Sequence, residues 1–111
     1  MDVAKLEGLV ATHGAEKIAF VRMEAGTNLI GGQPISLKNL ADIRAVCDKH
    51  GLILFEDNCE SMGATLNGRQ CGTFGHIGTF STFFSHHIST MEGGVIVTDD
   101  TDLFQIGRAH V

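Results

Sequence analysis

Two short apolar runs, Ile18-Ala19-Phe20-Val21 and Leu52-Ile53-Leu54-Phe55, stand on either side of a segment with helical periodicity. This arrangement limits the possible folds more than any other feature of the chain. Between the runs, Ser36 suits a helix N-cap, Leu37, Leu40, Ile43, Val46 and Cys47 form one apolar stripe, and His50-Gly51 suits a helix end. Strand, loop, helix, strand is a βαβ unit, whose strands lie parallel and whose crossover is right-handed. An α/β fold is therefore expected, with a mainly parallel sheet and flanking helices. Such sheets bind their ligands at the carboxyl ends of the strands, so the residues just after Phe55 are the first functional candidates.

The rest of the chain extends this unit. Val3, Leu6, Leu9 and Val10 are spaced for a helix over Asp2 to His13, with Gly14 as its terminator. Glu24 to Ser36 reads as a loop, punctuated by Gly26, Gly31, Gly32 and Pro34 and long enough to be functional. Asn67-Gly68, between the short arms of Ala64 to Gln70, is the signal for a tight hairpin. After a glycine-rich loop from Gly72 to Gly78, the stretch Thr79 to Gly94, TFSTFFSHHISTMEGG, reads as strand and polar elbow, leading into the apolar run Val95-Ile96-Val97. A last helix begins near Asp100, capped by Asp99 or Asp100.

Composition removes several function classes. A length of 111 residues suits one domain, and 43% hydrophobic with 19% charged residues is ordinary globular usage rather than disorder. The net charge of -5, with four Lys and four Arg scattered along the chain, excludes a broad nucleic-acid footprint. No apolar run is long enough to span a membrane, and Met1-Asp2-Val3-Ala4-Lys5 has no basic region leading into an apolar one, so a cytoplasmic protein without membrane partners is expected. Cys47, Cys59 and Cys71 form no CxxC pair, which argues against both a zinc finger and a disulfide framework. Cys47 falls on the core stripe of the helix and reads as an inert buried thiol. The spacings of His76, His86, His87, Cys59 and Cys71 match no standard metal site, so none is assigned. No serine lies in a G-x-S-x-G elbow.

Asp57 stands at the end of a buried strand, where a carboxylate is costly unless a cation or donor meets it. A protonated pyridine nitrogen is one fitting partner; capping of the following turn is the other reading. Glu60, three residues on, is either a second ligand or a solvated loop carboxylate. His86 and His87 are adjacent and point to opposite faces in extended chain, so one at most serves a given site. The hydroxyls of Ser81, Ser85, Ser89 and Thr90 could hold a phosphate or orient the imidazole. Gly93-Gly94 allows close backbone approach or a bulge.

These motifs are recognisable. From about Leu52 to Ala109 the chain resembles the DegT/DnrJ/EryC1/StrS family of pyridoxal-phosphate sugar aminotransferases and dehydrases, through EDNCESMGA, the NGR hairpin, GTFGHIGTFS, SHHISTMEGG and the final RAH. The resemblance implies the large domain of a fold-type I, aspartate-aminotransferase-like enzyme. It implies that Asp57 pairs with the pyridine nitrogen, that Glu60 occupies the place usually held by Gln beside the ring, and that Ser81 contacts the phosphate. Most members carry the Schiff-base lysine five residues after that serine; here the residue is His86, and no lysine follows Lys49. The substitution resembles the 3-dehydrase branch, in which the cofactor works as pyridoxamine phosphate. An imidazole moves protons near neutrality but cannot form the stable imine that lysine forms.

Residues from about Leu9 to Asp57, especially GAEKIAFVRMEAGTNLIGGQPISLKNL, resemble instead the tryptophanase and tyrosine phenol-lyase family, where the counterpart of Asn28 lies near the cofactor's phenolic oxygen. Those lyases carry an arginine in place of Glu60. The two resemblances together imply one domain, 1–111, a partial large domain with a lyase-like part at 1–57 and a sugar-aminotransferase-like part at 52–111, hence a fragment or chimera. They further imply pyridoxal 5'-phosphate or pyridoxamine 5'-phosphate as cofactor, a sugar nucleotide or amino acid as substrate, and a homo-oligomer, because family active sites are shared across a dimer.

Overall fold

The computed structural model describes residues 1–24, 26–27 and 33–109. Helix α1 spans Val3–His13 and opens at Asp2, whose carboxylate accepts from the Lys5 N–H at 3.0 Å, satisfying one of the donors that a helix start leaves free. A 3-10 turn at Ala15–Lys17 leads to strand β1, Val21–Glu24. The apolar run that marked this strand in the sequence starts three residues earlier. Ile18 is withheld from the sheet because its N–H closes the 3-10 turn onto Ala15 O at 3.0 Å, and pairing begins where Val21 N–H donates to Ile53 O at 2.8 Å. Within the expected loop, β2 (Gly26–Thr27) and β3 (Gln33–Pro34) form a short antiparallel pair.

Helix α2, Leu37–His50, is capped by Ser36 Oγ, which accepts from Asn39 N–H at 3.0 Å. It ends at Gly51 in the left-handed region, with Leu52 N–H donating to Cys47 O at 2.9 Å. Leu52 therefore belongs to the helix end, and the strand after it, β4, runs over Leu54–Asp57 rather than stopping at Phe55. The hairpin forms as expected from Asn67-Gly68: β5 (Thr65–Leu66) pairs with β6 (Arg69–Gln70), and both turn residues take positive φ. Strand β7 covers Ile77–Ser81, β8 covers Gly94–Val97, and helix α3 covers Thr101–Arg108 with Asp100 as N-cap.

The main sheet has the order β1-β4-β7-β8. The first three strands are parallel and β8 is antiparallel to β7. Val21, Met23 and Leu54 point from one face into a core with Leu6 and Val10 of α1 and Leu40, Ile43, Val46 and Cys47 of α2. Cys47 is fully buried, as its place on the helix stripe implied. On the opposite face, the Phe20 and Phe55 rings meet in a tilted contact with centroids 5.6 Å apart, while Ile96 is 66% exposed. The register places Arg22, Phe55 and Ile77 side by side on that face, followed one pleat on by Glu24, Asp57, Thr79 and Ile96. Asp57 thus emerges near the carboxyl end of a central parallel strand, on the face that α1 and α2 leave open.

Candidate functional site

The site is built from three segments: the end of β4 with the turn after it, the end of β7, and the loop that joins β7 to β8. Asp57 Oδ2 accepts from Arg22 Nη2 at 2.6 Å, and Oδ1 accepts from the backbone N–H of Cys59 at 3.2 Å. The carboxylate therefore caps its turn, one of the two sequence readings, and it also meets a cation of the protein itself, Arg22. Burial pushes the Asp57 carboxyl up, but the Cys59 thiol, the Arg22 guanidinium and the Cys59 N–H together hold it below the usual carboxylate range. Burial and the adjacent Asp57 push the Cys59 thiol up to about 11, which makes it a poor nucleophile at neutral pH.

Two buried polar residues flank Asp57 on the core side. Glu56 is 4% exposed, and its carboxylate accepts from the N–H of Gly72 at 2.9 Å and from that of Gly75. Asn58 is fully buried; its amide accepts from Ser61 Oγ at 2.9 Å and donates to Glu56 O at 3.3 Å. These contacts hold the glycine-rich loop and the turn after β4 in place, so that Asp57 and Glu60 are carried on a fixed framework. Sequence reasoning passed over Glu56 and Asn58, although both continue the core-facing alternation of Leu52 and Leu54. Their partners are backbone amides, which leave no mark in a sequence except the glycines themselves.

Ser81 closes β7, on the same face as Asp57 by register, and its Oγ accepts from Phe83 N–H at 3.1 Å. Residues 82–93 then form a loop pinned at its base by Thr82 N–H to Gly93 O at 3.0 Å and Thr90 N–H to Thr82 O at 2.8 Å. His86 lies within this loop with its side chain 15% exposed, while His87 is exposed, so one histidine of the pair turns inward. His86 Nε2 lies 3.2 Å from Glu60 Oε1. Its Nδ1 is buried with no hydrogen-bond partner among the described residues. Of the two roles open to the nearby hydroxyls, holding a phosphate or orienting the imidazole, Thr90 does not take the second: its hydroxyl is spent on Thr82 and Glu92 O, and a charged neighbour of His86 is Glu60.

His76 has a framework role, its Nδ1 accepting from Leu54 N–H at 2.9 Å. Asn28 lies outside the described residues. By register Asp57 and Ser81 lie on one face near the carboxyl ends of β4 and β7, Glu60 meets His86, and Arg22 meets Asp57 from β1. The arrangement offers an ionised carboxylate, an imidazole with one unengaged nitrogen and a hydroxyl. No helix among the described residues is long and apolar enough to cross a membrane.

A mainly parallel sheet with this loop at the carboxyl ends of its strands defines a class, and the comparison with known sequences agrees. The profile of the DegT/DnrJ/EryC1/StrS aminotransferase family matches residues 28–109, beginning upstream of Leu52, and the chain belongs to that family. It is 53% identical over 86 residues to GDP-4-keto-6-deoxy-D-mannose 3-dehydratase of Escherichia coli O55:H7, a match that covers 75% of this chain and 21% of the relative. It is also 42% identical over 57 residues to a tyrosine phenol-lyase of Symbiobacterium sp. strain SC-1, covering 51% of this chain and 12% of that enzyme. Among solved structures, E. coli GDP-4-keto-6-deoxy-D-mannose-3-dehydratase with bound hydrated PLP superposes with a TM-score of 0.66 at 39% identity, over 96% of this chain and 24% of that one. The fold is therefore a partial fold-type I α/β domain, and the chain spans about a fifth of the length of the curated relative it matches.

Proposed function

We propose that this chain carries the cofactor centre of an enzyme resembling the sugar-nucleotide 3-dehydratases, with His86 in the place of the usual lysine and with pyridoxamine or pyridoxal phosphate as its cofactor. The observation that carries the reading is the inward-turned imidazole of His86, with one nitrogen beside Glu60 and the other buried and unengaged. When bound, the cofactor supplies an electron sink that acidifies neighbouring C–H bonds. The residues present fit it. A carboxylate has about four acceptor positions, of which Asp57 gives three to Arg22, the Cys59 N–H and the Cys59 thiol, so Asp57 can still accept from a pyridine N–H. Ser81 would contact the phosphate, Glu60 would lie beside the ring, Asn28 would approach its phenolic oxygen, and His86 would carry a proton to and from C4′.

Because imidazole forms no stable imine, His86 serves as acid and base and the cofactor is held by contacts alone. That arrangement favours the amine form of the cofactor. The substrate class is a sugar nucleotide, and the protein is a cytoplasmic homo-oligomer in which the remaining parts of the site come from other segments or subunits. We read residues 1–57 as lyase-like and 52–111 as dehydratase-like, meeting at β4. Glu60 stands where those lyases carry an arginine, so β-elimination is not the favoured chemistry.

The test is exchange of the C4′ proton of bound pyridoxamine phosphate with solvent. Replacing His86 by Asn should abolish exchange and leave cofactor binding largely intact; exchange at an unchanged rate would sink the assignment.

A second reading is a folded, non-catalytic self-associating unit. It is favoured by two sheet edges, β1 and β8, that no strand among the described residues covers, and by apolar Phe20 and Ile96, 53% and 66% exposed, on the face away from α1 and α2. Particle size that grows with concentration, without cofactor uptake, would select it.

A further inference from the structure

We infer that this chain associates head to tail with copies of itself: β8 of one copy lies along the outer edge of β1 of the next, and the α3 that follows it seats its apolar side in a groove between β1 and α1. The inference rests on the reading of the chain as a self-associating unit and adds which surfaces meet and in what order. The two surfaces lie at opposite ends of the sheet, whose order is β1-β4-β7-β8. Each edge strand is paired on one side only among the described residues, and so offers a row of backbone donors and acceptors to a further strand.

The groove has a volume of about 570 Å3 and runs beside the amino end of β1. Leu9, Ile18 and Phe20 give it apolar walls, and Lys5 and Lys17, both exposed, also line it. Asp2 faces it too, but its carboxylate is committed to the cap of α1, and Arg22 is held by Asp57 and Glu24. A fitting occupant is therefore apolar along one side and acidic at the end that meets the lysines.

Helix α3 has that character. At helical spacing Leu103, Phe104 and Ile106 fall on one side, and Asp102, Gln105 and Arg108 on the other. None of its residues is buried, and Phe104 and Ile106 are exposed. Asp99, Asp100 and Asp102, all exposed, crowd its start. Strand direction brings these features to the groove. β1, β4 and β7 are parallel and β8 runs against them, so in a copy shifted sideways along the sheet β8 ends beside the start of β1, where Lys17 and Phe20 lie. β8 ends at Val97 and α3 begins at Thr101, so the helix is delivered to the same place.

Contacts of this kind do not close on themselves in a pair. Each copy added leaves one groove and one α3 unused, so growth continues until the copies close into a ring or extend as a filament. A face-to-face dimer through the exposed Phe20 and Ile96 would stop at two.

The experiment is sedimentation velocity of the chain over a concentration series, with Leu9→Lys to spoil the groove and Phe104→Lys to spoil α3. Both positions are exposed, so far-UV circular dichroism should match the wild type; Leu9→Gln or Phe104→Gln replaces either variant whose spectrum departs. The wild type should grow past two chains, and each variant alone should associate about tenfold more weakly, as expected for the loss of one central apolar anchor. An equimolar mixture of the two variants should form a species of two chains that grows no further, because the intact α3 of the Leu9→Lys chain still fits the intact groove of the Phe104→Lys chain.

A wild type that stays monomeric would overturn the inference and the self-associating reading together. Growth that stops at two chains, variants that associate as the wild type does, or a mixture that fails to restore pairing would overturn the inference alone.

Discussion

Arg22 Nη2 lies 2.6 Å from Asp57 Oδ2, across two neighbouring parallel strands and 35 residues apart in sequence. The guanidinium also reaches Glu24 Oε1 at 3.0 Å, so one half-exposed cation bridges two carboxylates. This pair occupies the position that the functional reading assigns to the recognition of the cofactor's ring nitrogen.

The first consequence concerns pH. The folded-state pKa of Asp57 is lowered, so its ionisation adds stability that is fully present above the unfolded value of about 3.9 and is lost as pH falls through the lower folded value. Arg22 is 52% exposed, and solvent screening keeps the contribution to roughly 1 kcal/mol or less. Urea denaturation at neutral pH should find Asp57→Asn less stable than the wild type, and the gap should shrink steadily below about pH 4. A gap that stays constant into acid would contradict the assignment.

Arg22 also bears on cofactor affinity. Its charge competes with a pyridine N–H for the same carboxylate, and Glu24 offers it an alternative partner. Replacing Arg22 by Gln should therefore tighten the binding of pyridoxamine phosphate by a few-fold, in line with an interaction on the order of 1 kcal/mol at a partly exposed site. Weaker binding in that variant would mean that Arg22 helps to hold the ligand.

Glu56 is the framework residue whose loss should be felt most. Both of its carboxylate oxygens accept backbone N–H groups, from Gly72 and Gly75. Glu56→Gln turns one acceptor into a donor that faces an amide, and should cost about 2–3 kcal/mol in equilibrium unfolding. An unchanged midpoint would show that the loop does not depend on this carboxylate.

The glycines separate into two kinds. A Cβ at Gly78 would lie 2.1 Å from Gly72 O, a backbone atom that cannot swing away, so Gly78→Ala should destabilise the fold by about 2–3 kcal/mol or more. Gly8, inside α1 with open space around it, is the opposite case. Gly8→Ala should stabilise by about 0.5–1 kcal/mol, and thermal melts of the two variants should move in opposite directions.

What the sequence revealed in advance was mostly local. Ser36 and Gly51 bound α2 because capping needs only neighbouring atoms, and Asn67-Gly68 turned the hairpin for the same reason. The boundaries of β1 and β4 shifted by two or three residues, since the amides of Ile18 and Leu52 were claimed by a turn and by a helix end. Of the candidate site, the sequence could propose Asp57, Glu60, Ser81 and His86, but not who meets whom. The contact of Arg22 with Asp57, that of Glu60 with His86 and those of Glu56 with the glycine amides all depend on strand register and loop packing. Of the two roles open to the serine and threonine hydroxyls, holding a phosphate or orienting His86, the second goes instead to a carboxylate from the turn after β4, which sequence proximity in the loop could not show.

The central claim is that Asp57, Ser81 and His86 form a working cofactor site within this chain. It is tested most directly by equilibrium titration with pyridoxamine phosphate and with pyridoxal phosphate, following the cofactor spectrum, with Asp57→Ala as the control. Saturable binding that prefers the amine form and disappears in the control is the predicted result. The absence of binding to either form, or binding that Asp57→Ala leaves intact, would contradict the account.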